Sequence, residues 1–167
     1  SVLPFTKLVA EQYLKIHKSD IPVNILRLGI IYGPSETEKL NWSAVDYIFH
    51  EIKYKNLIEI GSINTARCFI HIDDIVEGII SVINKTTTDT YNISGNELIS
   101  LKEIINFFSK ILNKNPEIIE KNPQGANIRG ASNKHALKNL KWLPKINLEQ
   151  GLITINDFLN KQTQYND

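Results

Sequence analysis

The chain has 167 residues, of which 42% are hydrophobic and 22% charged, the composition of an ordinary globular protein with room for a sizeable core. Its formal net charge of +1 argues against general nucleic-acid binding, and no apolar run is long enough to span a bilayer. The only cysteine, Cys68, excludes a disulfide framework and a cysteine-based zinc site, so a reducing cytoplasm is the expected location. The chain begins with Ser1 and has no methionine, which favours a piece of a longer protein.

The first predicted element is a helix from Val2 to Lys18 with apolar residues on more than one side. A helix that is apolar nearly all round is buried on two sides, so this helix needs a partner on its outer face. Lys7 is the one charged group inside this apolar surrounding. It is either a lysine whose stem reaches towards water or a functional amine.

Four segments that follow are predicted to be extended. Residues 23–32 form an apolar, β-branched run typical of a strand buried on both faces of a parallel sheet, and Gly33-Pro34 ends it. The others are Leu57–Ile60, Arg67–Ile72 and Thr90–Ser94, with a further short extended piece at Pro116–Glu120.

Helices are predicted between these strands. The first is Trp42–Lys53, with Asn41 as its cap, and the second follows Asp73 and Asp74, whose carboxylates suit the positive end of a helix dipole. Its predicted core face carries Ile75, Val76, Ile79, Ile80 and Ile83. Three more helices are Leu101–Leu112 with a Ser100/Glu103 capping box, Asn133–Leu140, and a last one capped by Asn147 and Gln150 that runs to about Asn160, before a polar, frayed tail.

This alternation predicts an α/β protein with parallel pairing, although two or three strands are too few for a self-sufficient doubly wound sheet. Common phosphate-loop, dinucleotide-loop, nucleophile-elbow and zinc-helix motifs are absent. His71-x-Asp73 can be interpreted as a base with an orienting carboxylate, or as a mid-strand histidine before a helix-capping aspartate. Arg67 and Arg129 each stand near small residues, where a guanidinium can bind phosphate oxygens, or they are two surface cations.

Five blocks in one order give the chain a family resemblance. The segment FTKLVAE (5–11) resembles Y-x-x-[ST]-K-x-x-x-E of extended short-chain dehydrogenases, and LRLGIIYGP (26–34) resembles their R-x-x-N-x-Y-G-P strand. The other blocks are RCFIHIDD (67–74), similar to R-D-F-[IV]-[HY]-V-D-D, TYNISG (90–95), similar to Y-N-[IV]-G-x-G, and LKWLPKINLEQGL (140–152), similar to L-G-W-x-P-x-x-x-L-E-E-G-[IL]. Together they resemble the NAD-dependent epimerase/dehydratase group that acts on nucleotide-diphosphate sugars.

The resemblance implies a fold and a division of the chain. Residues 1–34 would be the last part of a Rossmann domain, with its active-site helix and the following strand. Residues 35–167 would be mainly the C-terminal nucleotide-sugar-binding region, with some segments returning to the Rossmann sheet. The implied fold class is α/β, namely the C-terminal part of a Rossmann-type parallel sheet plus the small substrate-binding domain.

The resemblance also implies roles for individual residues. Lys7 matches the catalytic lysine that lowers the pKa of a tyrosine and holds the nicotinamide ribose, and Leu3 occupies the position of that tyrosine. Gly29 and Ile30 fall where the strand passes the nicotinamide, with Ile30 in place of the usual asparagine. Three further residues match substrate-binding positions: Arg67 and Arg129 for the diphosphate, and Asn41 for the sugar or phosphate.

The implied cofactor is NAD or NADP, and the implied partners are a nucleotide-diphosphate sugar and a second copy, packed through the Val2–Lys18 helix. The glycine-rich turn that holds the pyrophosphate in the family is not among these residues, so binding of the cofactor by this chain alone is not expected. The resemblance thus implies a portion of such an enzyme that carries the substrate side and Lys7 without the tyrosine. The alternative is a non-catalytic remnant that binds a nucleotide sugar or another protein.

Overall fold

The computed structural model describes residues 2–16, 21–35 and 43–165. The helices are α1 (Val2–Ile16), α2 (Ala44–His50), α3 (Ile72–Ile83), α4 (Leu101–Leu112), α5 (Lys134–Leu140) and α6 (Leu148–Tyr165), and a π-helical turn, Glu51–Lys55, continues α2. The strands are β1 (Asn24–Leu28), β2 (Ile30–Tyr32), β3 (Leu57–Ile60), β4 (Ala66–Arg67), β5 (Phe69–His71), β6 (Asp89–Ile93), β7 (Ile99–Ser100), β8 (Glu117–Glu120) and β9 (Ile128–Arg129).

In the described parts of the chain the strands form four small sheets, and parallel pairing dominates them. The pairs β1–β6, β2–β5 and β3–β8 are parallel, whereas β4 is the centre of a three-stranded sheet, parallel to β9 and antiparallel to β7. The α/β class with parallel pairing is therefore confirmed. The five predicted extended segments are confirmed, but two of them are each divided into two strands, and β7 and β9, of two residues each, were not predicted, so the count of two or three strands was too low.

Two hydrophobic cores lie on either side of β5. Phe69 belongs to the first, which α2, the π-helical turn, α4 and the start of α6 enclose. Ile70 belongs to the second, which gathers α3, β6, α5 and Trp142. Successive residues of a strand point to opposite faces, so β5 joins the two cores through neighbouring side chains.

Two of the predicted helix caps are confirmed, and three predicted helix ends are wrong. The Ser100/Glu103 capping box is present, and the Asn147 and Gln150 side chains each accept the other's backbone N–H. The predicted cap of α2 at Asn41 is wrong: Asn41 and Trp42 lie outside the described residues, and α2 is capped by a box of Ser43 with Asp46. α6 extends to Tyr165, well past the predicted end, and the cap of α3 is His71 rather than Asp73.

Among the described residues, α1 and α3 each present several apolar side chains to solvent. The predicted burial of α1 on two sides is not found among the described residues, because its apolar side chains are exposed: Val2, Phe5, Leu8, Val9, Tyr13, Leu14 and Ile16. The predicted core face of α3 is mostly wrong: Ile75 is buried, but Val76, Ile79, Ile80 and Ile83 are exposed, while Gly78 and Val82 face the core instead. Within the described residues, no helix combines the length and apolarity needed to cross a bilayer.

Candidate functional site

The first part of the candidate site is a change of strand partner at Gly29. The Gly29 N–H donates to the Ile93 carbonyl of β6 at 2.8 Å, and the next N–H, that of Ile30, donates to the Cys68 carbonyl at 3.1 Å. A Cβ on Gly29 would lie 2.6 Å from Ser94 Oγ and 2.8 Å from the Cys68 oxygen. Only a glycine therefore lets the chain leave β6 and join β5 here, which splits the predicted long strand into β1 and β2.

The second part is a pair of arginines brought together by strand register. Arg67 of β4 is the partner of Arg129 of β9 in the parallel pair, and Ala66 is the partner of Ile128. Register partners on neighbouring strands project from the same face of a sheet, so the two guanidinium groups share one side. Arg67 is also one residue before Cys68, whose carbonyl holds Ile30. The predicted substrate-binding arginines and the predicted cofactor strand thus adjoin.

Backbone carbonyls orient the Arg67 side chain. Its Nη1 donates to the Ala66 carbonyl at 2.8 Å and to the Asn127 carbonyl. The Asn127 carbonyl also accepts the Ala66 N–H at 3.1 Å. Both hydrogens of Nη1 are used, and the Nη2 and Nε groups of Arg67 make no hydrogen bond to the residues that the structure describes, so they are the donors available to a ligand.

The arginine pair has no acidic neighbour among the ion pairs of the described residues. Like charges directly opposite one another weaken a strand pair, so an anion bound between the two guanidinium groups would stabilise the arrangement. A diphosphate carries several charged oxygens, and a guanidinium binds two of them at once. The geometry favours an anion of this type at the β4–β9 pair.

Lys7 and Leu3 lie on α1, and Lys7 is exposed. Helix α1 is attached to β1 by a forked ion pair, in which Arg27 Nε and Nη2 donate to the two Glu11 carboxylate oxygens at 2.9 and 2.5 Å. These hydrogen bonds lower the pKa of Glu11 and raise that of Arg27. No described contact joins Lys7 to Gly29, Ile30 or the arginines, and Asn41 lies outside the described residues.

His71 is held in the core in a way that argues against a role as a base. It is the last residue of β5, not a mid-strand residue, and it is 1% exposed. Its Nδ1 accepts the Asp73 N–H at 3.3 Å, which leaves Nε2 to donate to Thr154 Oγ1 at 3.1 Å. The Thr154 hydroxyl in turn donates to the Gly151 carbonyl at 2.7 Å. This chain of hydrogen bonds caps α3 and attaches it to α6.

Tyr32 packs edge-on against His71, and burial, with a smaller contribution from Asp74, raises the pKa of Tyr32 to about 12. The group is neutral in the fold and ionises near pH 10 when unfolded, so its contribution to stability is complete below pH 10 and is lost as the pH rises to 12. We expect the parent chain to lose on the order of 2 kcal/mol of its free energy of unfolding through Tyr32 between pH 10 and 12, and we expect this loss to be absent in Tyr32→Phe. Urea unfolding across this range measures it. The exposed Tyr54→Phe is the control, and an equal change there would contradict the assignment.

Sequence reasoning missed the asparagines around the site. Asn92 Nδ2 donates to the Ser132 carbonyl at 3.0 Å, and Asn133 Nδ2 donates to the Ser94 carbonyl at 2.6 Å. Both tie the segment after Arg129 to the end of β6. The asparagine in the block TYNISG was a visible signal, but its partner lies 40 residues away.

A cleft of about 130 Å³ lies elsewhere, between β5, the loop at Asn96 and the start of α6. It is lined by neither arginine, and it is small for a nucleotide-sized ligand. We place the candidate site at the arginine pair because two positively charged side chains occupy paired positions of β4 and β9 there. Among the described residues, no group of three or more histidine, cysteine, aspartate or glutamate side chains is arranged to hold a metal ion.

Comparisons with known proteins agree on one family. The model of the "NAD dependent epimerase/dehydratase family" matches residues 4–94. A UDP-glucuronate 4-epimerase of Thermodesulfobacterium geofontis is 27% identical over 144 residues, which is 84% of this chain and 44% of that protein. The chain thus spans less than half the length of this curated relative.

Solved structures agree with this result. The UDP-glucose 4-epimerase of Thermotoga maritima with UDP-glucose has the same fold, with a TM-score of 0.83 at 22% identity, over 95% of this chain and 53% of that one. The UDP-glucuronic acid 4-epimerase of Bacillus cereus, in complex with UDP-glucuronic acid and NAD, has a TM-score of 0.80 at 25% identity, over 95% and 52% of the two chains. The fold is therefore that of about half of a Rossmann-type extended short-chain dehydrogenase.

Proposed function

Because the chain belongs to the NAD-dependent epimerase/dehydratase family, we propose that it is the substrate-binding portion of an enzyme that acts on a nucleotide-diphosphate sugar. The observation that carries this proposal is the register pairing of Arg67 with Arg129. Two guanidinium groups on one face, one of them already oriented by the Ala66 and Asn127 carbonyls, suit the oxygens of a diphosphate. Binding of UDP-sugars by relatives supports the same class of ligand.

The residues on the cofactor side fit a nicotinamide nucleotide only in part. Lys7 is exposed on α1, and Ile30 is exposed directly after the strand switch, so both are accessible to a bound ribose and nicotinamide. When bound, NAD or NADP would supply hydride transfer. In this proposal Lys7 holds the ribose, and Leu3, which has no proton to exchange, leaves the general base to be supplied from elsewhere.

The proposed division of the chain lies near residue 34. Residues 1–34 contribute α1 and β1 to the nicotinamide side, and residues 35–167 contribute mainly the sugar-binding region. The second core supports the return of some later segments to the first sheet, because β6 pairs with β1, and α3 and α5 pack near it. The exposed apolar face of α1 supports a homodimer through this helix. The free, buried Cys68 is compatible with a cytoplasmic protein.

A second candidate function is a remnant that binds a nucleotide sugar or another protein without redox chemistry. Leu3 at the tyrosine position favours it. One assay, in which the 167-residue chain is incubated with UDP-glucuronate and NAD, tests what the two candidates share. Epimerised product would contradict the proposal that Leu3 leaves this chain without its base, whereas binding without turnover supports both candidates for the isolated chain.

Arg67→Ala tests the diphosphate site directly. We expect the substitution to weaken UDP-glucose binding by roughly 1.5–3 kcal/mol, about ten- to a hundredfold in Kd, because a charge-assisted contact is lost. Isothermal titration calorimetry measures the change. The control is Lys110→Ala, which removes one positive charge from the exposed side of α4. An unchanged Kd for Arg67→Ala with a normal melting curve would show that this arginine is a surface cation.

A further inference from the structure

The strand that carries Arg129, β9, is short and lies in an exposed segment. Residues 121–132 are exposed along their whole length, and β9 is two residues long. Its partner across the sheet is Arg67, a residue of the same charge, so electrostatic repulsion favours separation of β9 from β4 when no anion is bound. Something beyond the short strand pairing must keep Arg129 in register.

Asn133 supplies one restraint. It occupies the N-cap position of α5, where an asparagine side chain usually accepts a backbone N–H, yet it makes no cap hydrogen bond. Its side chain instead turns back, and Nδ2 donates to the Ser94 carbonyl at 2.6 Å and to Asn96 Oδ1 at 3.1 Å. The residue is buried, so this link between the start of α5 and the end of β6 is shielded from water.

Asn92 supplies the second restraint from the other strand. It lies on β6, and its Nδ2 donates to the carbonyl of Ser132, which directly precedes Asn133. The two hydrogen bonds therefore tether consecutive residues of the segment that leaves β9, Ser132 through its carbonyl and Asn133 through its side chain, three and four positions after Arg129. A chain fixed at residues 132 and 133 has few conformations left for the short connection back to residue 129.

We propose that Asn92 and Asn133 are positioning residues that hold Arg129 opposite Arg67 and thereby set the affinity of the site for a nucleoside diphosphate. The inference deepens the proposed function and rests on it. Neither asparagine touches the ligand in this arrangement. Each acts through the backbone that carries the second arginine, and each lowers the entropic and electrostatic cost of assembling the pair before the anion arrives.

Asn92 is the better residue to test, because its acceptor lies before α5, and its loss leaves the link from Asn133 to the core in place. The matched control is Asn139→Ala. Asn139 belongs to α5, and its Nδ2 donates to the His135 carbonyl within the same helix, so its removal costs a side-chain hydrogen bond without touching the segment after β9.

The experiment has two readouts on the 167-residue chain. Hydrogen exchange of the amides of residues 127–131 is expected to be several-fold faster in Asn92→Ala than in the parent chain, and unchanged in Asn139→Ala. Calorimetry with UDP as the probe is expected to give a Kd about five- to tenfold weaker for Asn92→Ala. In the Arg129→Ala background the same substitution is expected to change Kd less than twofold, because the residue it positions is gone.

The results distinguish a failure of the positioning role from a failure of the proposed function. Equal effects of Asn92→Ala in the two backgrounds would show a general structural role and overturn the proposal, and so would unchanged exchange at residues 127–131. If the parent chain does not bind UDP at all, the proposed function fails, and the role of Asn92 in affinity fails with it. The exchange data would then still report whether Asn92 restrains β9.

Discussion

Gly95→Ala is expected to destabilise the chain by at least about 3 kcal/mol, at or beyond the upper end of the usual cost of overpacking. Gly95 is buried, and a Cβ built on it would lie 2.0 Å from the Phe69 carbonyl oxygen and 3.0 Å from the Phe69 carbonyl carbon. Both are backbone atoms of β5, the strand between the two cores, so no side chain can move aside to make room. One of the two chain segments must shift.

The consequences extend to the candidate site. The segment after Gly95 leads into β7, where Ile99 is the strand partner of Arg67. If the loop moves away from Phe69, β7 and β4 lose their register, and Arg67 loses the frame that orients it. We therefore expect Gly95→Ala to weaken UDP-glucose binding as well as stability. The two effects have one cause, the distance between residue 95 and β5.

Gly61→Ala is the matched control. Gly61 lies in an exposed turn after β3, and nothing is within 4 Å of a Cβ placed on it. We expect a change within about 0.5 kcal/mol, the usual range for a surface substitution. Urea unfolding followed by circular dichroism compares the two variants, with the m-value as a check that the transition stays two-state. Equal stability of the two variants would contradict the close approach at Gly95.

What the sequence predicts well is local. The Ser100/Glu103 box and the Asn147/Gln150 pair each depend on residues three apart, and their geometry follows from the first turn of a helix alone. The break at Gly29 was not predictable in this way. It depends on β5 and β6, which are distant in sequence, and on the space left by Ser94.

The candidate site illustrates the same limit. Family resemblance identified Arg67 and Arg129 separately, but the strands that pair them are two residues long and carry almost no strand pattern of their own. Their register could come only from the structure.

Helix α3 has a clear sequence pattern that predicted its core face incorrectly. Its five apolar positions suggested one wide core face, yet the core touches only the side with Ile75, Gly78 and Val82, since burial depends on what packs against a helix and not on its apolarity.

Asp74→Ala is the second substitution with a large expected effect. Asp74 lies in the first turn of α3 and is 2% exposed. Its Oδ1 accepts the Lys145 N–H at 2.9 Å, and its Oδ2 accepts the Ile146 N–H at 3.0 Å. The carboxylate therefore holds the segment that connects α5 to α6, which lies 71 residues further along the chain. Alanine would leave two backbone donors without acceptors in a partly buried place.

Removing an acceptor from a buried donor costs the desolvation of that donor, and hydrogen bonds to charged groups contribute more than neutral ones. We expect Asp74→Ala to lower the free energy of unfolding by roughly 3 kcal/mol. Asp74→Asn should cost nearly as much, because an amide offers one acceptor oxygen and turns its NH₂ group towards the second N–H. Chemical denaturation of the three proteins measures the differences.

The neighbouring residue provides the control within the same helix turn. The Asp73 side chain is 75% exposed; the Asp73 N–H donates to His71 Nδ1 at 3.3 Å, and the Asp73 carboxylate lies 3.5 Å from the same nitrogen but binds no backbone N–H of the segment before α6. Asp73→Ala removes the same charge from the same end of the α3 dipole, for which we expect a loss of about 0.3–1 kcal/mol. If the two alanine variants lost equal stability, the dipole would explain both, and Asp74 would not be the anchor of the segment before α6. A loss several times larger for Asp74 would locate the effect in its two hydrogen bonds, since charge, helix position and residue type are otherwise shared.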